Sequence, residues 1–283
     1  MAFSRLYEEH EVSPDLRRIY ADVRVSFDLP FVPSLFKSLS AAPEYLRAMW
    51  DDLSPVVRSR EFRVASTALD EYTRSLAVRG GWRYSDQEKV LASQKFTQSD
   101  VEALGTVISV FARTLARMVL FTRLLQRGYS GGQAGRITGT KQASALSRLF
   151  TLQVPTEKDA GLRVWLMYSD LKRTLDSKHV PGIFRVLSPF TGYLGSVWVD
   201  TKKLLGDSNF QRSRDDISRR ALGLIVGLPV RDHRLHARSV APTQWGEIEE
   251  TVDSAARLLP SLALAIAVLD RTFPEHTSNF MAA

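Results

Sequence analysis

The 283 residues contain no cysteine, which excludes disulfides, thiolate catalysis and cysteine-ligated metal sites. Nothing in that composition places the protein outside the cytosol, and the first ten residues lack the basic and apolar blocks of a signal peptide, so a cytoplasmic location is expected. Long hydrophobic runs are missing too. The longest, Leu258 to Leu269, is broken by Pro260 and is too short to cross a bilayer, so no membrane association is expected. No stretch alternates apolar and polar residues over a useful length, which removes the strand signal and leaves an all-α fold. Charge of one sign is never gathered on one element. The net charge is +7 with a pI near 9.7, but arginines and acids are interspersed, which argues against a nucleic-acid binder and for a small anionic substrate or an acidic partner.

What is present is a repeat. Shifted by 148 residues, Tyr20 meets Tyr168, Asp22 meets Asp170, Asp28 meets Asp176, Pro33 meets Pro181, Phe36 meets Phe184, Trp50 meets Trp198 and Phe62 meets Phe210. Thirteen of the 43 positions from 20 to 62 are identical in this register, where composition alone gives roughly three. Two copies at so long a period predict an internal pseudo-dimer, with half-domains over 1–128 and 156–283, a glycine-rich linker over 129–155 and a shared central cleft.

Helix signals follow one plan in each half. Ser13-Pro14 starts a helix with Leu16, Ile19, Tyr20, Val23 and Phe27 on one face. Pro30 and Pro33 break it, and helices restart at Pro33 and Pro43. Thr97 caps the longest helix of the first half, over 101–127, whose arginines Arg113, Arg117, Arg123 and Arg127 read as a solvated face. In the second half the helices are expected over 157–176, 193–205, 214–226 and 261–273.

The motif Ile19, Tyr20, Asp22, Val23, Arg24, followed by Pro30-Phe31-Val32, Pro43 with Tyr45-Leu46, Trp50, Asp100 with Glu102, and Phe111, resembles the group I 2-haloacid dehalogenases over nearly the whole chain. The resemblance implies a duplicated all-helical enzyme without cofactor or metal, in which an aspartate and an asparagine activate a water that attacks C2 of a 2-haloacid directly. Matched by eye to that pattern, the aspartate falls at Ile183 and the asparagine at Leu115, neither of which can accept a proton. The resemblance places Phe31, Ser34, Leu115, Gly182 and Ile183 around substrate. With both polar groups missing and a basic charge balance, the expected reading is a divergent member that displaces a leaving group from a small acid by intramolecular substitution; the alternative is a silent subunit supporting a partner, as a homo- or hetero-oligomer.

Other residues carry weaker signals. Asp270 lies in an apolar helix, either paired or poised by burial, and His179 stands at the break before the second motif, so His179, Asp270 and Ser34 are the catalytic candidates. Lys37 and Arg185 are repeat-paired and can hold an anion or face solvent. Ser130 sits in a formal nucleophile-elbow pattern without the strand such a turn needs, and His233 and His236 lie among too many arginines to favour a dication.

Overall fold

The computed structural model describes residues 2–94, 96–129, 152–229, 232 and 240–274, and among them every regular element is helical. Helix α1 spans Pro14–Phe27, with Pro14 at its first position and the Ser13 hydroxyl accepting the Leu16 N–H at 3.5 Å. It stops at Asp28, whose φ of 58° turns the chain left-handed while Leu29 N–H reaches back to Arg24 O at 2.8 Å. Helix α7, Leu162–Thr174, ends in the same way: Asp176 has φ 46°, and Ser177 N–H donates to Lys172 O at 3.0 Å. Among the described residues these two aspartates are the only non-glycines at positive φ, a conformation that Asp tolerates better than most residues.

After each stop comes a Val-Pro pair in extended conformation and a short helix, α2 over Ser34–Leu39 and α8 over Gly182–Val186. Then follow α3 (Pro43–Val57) and α4 (Arg60–Arg79) in the first stretch, and α9 (Thr191–Gly206) and α10 (Ser208–Ile225) in the second. The buried tryptophans of α3 and α9 are tied back by one hydrogen bond each, Trp50 Nε1 to Asp22 at 2.7 Å and Trp198 Nε1 to Asp170 at 2.8 Å. Helix α5 covers Gln87–Ser93.

The spine is a pair of long helices, α6 (Gln98–Tyr129) and α11 (Pro242–Thr272), packed against each other more extensively than any other two elements, with α4 and α10 against both. Thr97 and Asp100 cap α6 reciprocally, Asp100 N–H to Thr97 Oγ1 at 3.2 Å and Thr97 N–H to Asp100 Oδ2 at 2.9 Å. Both spine helices are long and apolar enough to cross a membrane by length and composition, yet most of each apolar stretch is buried inside the protein. Phe121 of α6 anchors the first stretch, edge-on to Phe27 at 5.2 Å and stacked on Phe36 at 5.3 Å.

Two sequence expectations change here. The helix expected over 261–273 is the end of a 31-residue helix that passes through Pro260. Proline there cannot bond the carbonyl four residues back, and that carbonyl, Ala256 O, is approached by Arg123 Nη2 at 3.5 Å. The arginine face of α6 is therefore not a solvated stripe. Arg117 donates to Phe27 O at the end of α1 and Arg127 to Ile225 O at the end of α10, so these guanidinium groups satisfy carbonyls that helix ends and a proline leave open. Replacing Arg117 by Met leaves Phe27 O without its charged donor in a largely buried position. The expected loss is about 1–3 kcal/mol, read as a lower urea midpoint with unchanged helical signal.

Candidate functional site

The two Val-Pro breaks converge beside the spine. Arg185 Nη2 on α8 donates to Ser34 Oγ at the start of α2, at 3.2 Å, and Leu152 N–H donates to Pro30 O at 2.8 Å, so residues 152–155 run along the junction. Between them lies a cavity of about 140 Å³. It is far larger than one water, which needs only about 10–15 Å³, and has room for a small organic molecule. Phe31 and Phe111 form one wall, stacked at 4.6 Å and 18°. Leu115, Met118 and Thr114 of α6, Thr251, Ser254 and Leu258 of α11, Val154, and Ala2 with Phe3 contribute the rest. Gly182 eases the close approach of α8, since a Cβ there would stand a tight 3.3 Å from the Phe111 ring.

The polar part of the wall is unbalanced. Among the described residues it includes Lys178, His179 and Arg185 but no aspartate or glutamate. His179 Nε2 lies 3.1 Å from Phe3 O; because a carbonyl only accepts, Nε2 carries the proton and Nδ1 the lone pair. Burial pushes the His179 pKa below its ordinary value, partly offset by Glu157 and the Phe3 carbonyl, so the ring is neutral at pH 7. Phe3 is held on its other side by its own N–H, which donates to Thr251 Oγ1 at 3.0 Å. Arg185 is only 2% exposed and donates to Val180 O at 3.2 Å and Pro155 O at 3.1 Å as well as to Ser34.

The structure puts Phe31, Ser34, Leu115, Gly182 and His179 on this wall, and leaves two expected members off it. Ile183 is 1% exposed and packed in the core, because one step along a helix from Gly182 turns its side chain away by about 100°. Asp270 is also removed from the cavity: Arg74 Nη1 holds it at 2.6 Å and Ser109 Oγ donates to it at 2.5 Å, so it ties α4, α6 and α11 together. Ser34 is on the wall, where its Oγ accepts from Arg185. Lys37 and Arg185 are buried, not solvent charges. Ser130, His233 and His236 lie outside the described residues. Among the described residues no cluster of His, Asp and Glu fits a metal ion. Sequence reading missed Thr114, Thr251 and Phe3, whose only signal was a position facing the junction across a long helix or from the chain start.

The depressed pKa of His179 has a consequence for stability. Below 6.5 the unfolded chain takes up a proton that the native ring resists. Its contribution is therefore intact above 6.5 and is lost as pH falls from there through the native value. Urea midpoints should drop between pH 7.5 and 5, and His179→Gln, which keeps a donor for Phe3 O, should remove part of that slope; an unchanged slope would refute the assignment.

With this geometry in view, comparison with known proteins is informative. The family model described as halocarboxylic acid dehydrogenase DehI matches residues 30–182, a span that contains both Val-Pro breaks and the whole of α6. An (R)-2-haloacid dehalogenase of Pseudomonas putida is 22% identical over 277 residues, 94% of this chain and 91% of that protein. One from Rhizobium sp. (strain NHG3) is 21% identical over 229 residues, covering 80% and 88%. The fold is shared with a structure of D-2-haloacid dehalogenase in complex with L-LA, at TM-score 0.86 and 19% identity over 95% of this chain and 96% of that one. A mutant of D-2-haloacid dehalogenase with D-2-CPA gives 0.83 at 20% identity, with the same coverage. On the strength of the family match, and in agreement with a fold built around one junctional cavity, this chain belongs to the halocarboxylic acid dehydrogenase DehI family of haloacid dehalogenases.

Proposed function

We propose that the cavity binds a small carboxylic acid bearing a leaving group and displaces that group by intramolecular substitution, without a protein-activated water. The observation that carries this reading is the composition of the wall, which among the described residues has cations and a neutral imidazole but no carboxylate. The 2-haloacid dehalogenases to which the chain is similar support a carbon–halogen bond as the one broken. Hydrolysis needs a base for water, a contribution of about 10²–10⁴-fold, and neither Leu115 on the wall nor Ile183 behind it supplies one. We read this as a divergent member of the family that lacks the water-activating pair.

Intramolecular displacement asks less of the protein. An amine of the substrate forms the new N–C2 bond as the C2–X bond breaks, and X departs with the bonding pair as halide or a sulfate-like anion. The amine attacks as the free base and the nitrogen keeps its remaining protons, so the ring leaves as an ammonium and the step asks no base of the protein. The Phe31–Phe111 wall and Leu115 compress and desolvate the substrate, which raises the effective concentration of the amine at C2 and keeps water away. The same reading takes residues 1–128 and 156–283 as duplicated half-domains around a common cleft. The matching Asp28 and Asp176 stops and the Trp50–Asp22 and Trp198–Asp170 bonds support it.

Oxygen-18 water separates the two routes. Purified protein is expected to release halide from 4-amino-2-chlorobutanoate, above a protein-free control, with a cyclic amino acid free of solvent oxygen. It is expected to leave 2-chloropropionate intact. Formation of labelled lactate from 2-chloropropionate would overturn the proposal.

A further inference from the structure

Charges at the junction do not close. Lys37, 7% exposed, forms an ion pair with Glu8. Arg185, its counterpart 148 residues on, is still more buried, and among the described residues no carboxylate comes within ion-pair distance of it. The two other acids nearby are used elsewhere. Glu9 takes Arg24 at 2.6 Å, and Glu157 takes Lys172 at 3.0 Å while its second oxygen accepts Val180 N–H at 2.7 Å. These two pairs occupy corresponding positions, 9 with 157 and 24 with 172. The register then explains the deficit: the position of Glu8 in the first stretch is Thr156 in the second, and Thr156 Oγ1 is turned to Asp159 at 2.6 Å. Lys37 has a carboxylate in contact, whereas Glu8 and Glu157 act on Arg185 only at longer range.

Arg185 is also built to receive one. A guanidinium has five N–H donors, and three are used here, on Val180 O, Pro155 O and Ser34 Oγ. Each terminal nitrogen keeps one further donor, and the residue lines the cavity. The Ser34 hydroxyl accepts from Arg185, so its own proton is free to point at the same ligand. A buried cation without a counter-ion is costly to the fold, and an anion entering the cavity relieves that cost.

We propose that Arg185, with Ser34, forms a carboxylate-binding subsite that fixes the acid end of the substrate in the cavity. This rests on the reading of the cavity as the substrate site, and it orients the molecule with its reacting carbon towards Phe31, Phe111 and Leu115.

The test uses propionate as an unreactive carboxylate, propionamide as its neutral counterpart and sodium bromide as a halide, each titrated by calorimetry against the full chain. Propionate should bind and propionamide should not. Arg185→Lys should weaken propionate about 10- to 100-fold, the usual range for losing a charged hydrogen-bond set. Thr156→Glu is the second variant. It leaves Arg185 in place and supplies the missing partner, so it should abolish propionate binding while raising the melting temperature. Propionate binding that survives both variants, or propionamide binding equally well, would overturn the subsite. So would Arg185-dependent binding of bromide but not propionate, which would make it a halide site. Because these titrations involve no turnover, propionate binding through Arg185 stands even if 4-amino-2-chlorobutanoate is not cyclised, and the failure of either proposal is read separately.

Discussion

Mutual burial of α6 and α11 is the constraint on which the rest of the fold depends. Each presents apolar side chains on more than one side, as helices at the centre of a bundle must, and the shorter helices pack onto that spine. Such a centre leaves polar backbone in difficulty wherever a helix ends against it or a proline interrupts it. Three of the four arginines of α6 answer that difficulty, reaching from the spine to an open carbonyl: Arg117 to Phe27, Arg123 to Ala256, Arg127 to Ile225. Their aliphatic stems cover apolar surface on the way.

The cavity follows from the same arrangement. Val-Pro at 32–33 and 180–181 disfavours helix for the residue before each proline, and the chain reaches the spine extended at both places. Extended segments cannot fill the space that a helix face would. Gly182 lets one of them approach the Phe111 ring, and Phe31 closes the opposite side by stacking on that ring. What remains is a small space whose walls are apolar on the α6 side and cationic on the α8 side.

Charge gives the two stretches different roles. Lys37 and Arg185 sit at corresponding positions, but only the first meets a carboxylate. At the position corresponding to Glu8 stands Thr156, whose hydroxyl is turned to Asp159. Among the described residues, the wall of the cavity thus holds a buried guanidinium with no carboxylate beside it.

The all-helical character of the fold was legible in the sequence, because helical periodicity, capping residues and prolines act locally. Ser13-Pro14, Thr97 with Asp100, and the two Val-Pro breaks each work within a few residues of themselves. The side of the junction on which Phe31, Ser34, Leu115 and Gly182 lie could be inferred from the same signals together with the resemblance. Burial and pairing across the chain could not. Asp270 finds Arg74 196 residues away, Arg185 finds Ser34 151 residues away, and Ile183 is turned from the cavity by a single helical step. Local sequence carries the backbone's preferences, but the partner of a buried charge is chosen by packing, so only the tertiary structure decided which cations were satisfied and which one was left facing the cavity.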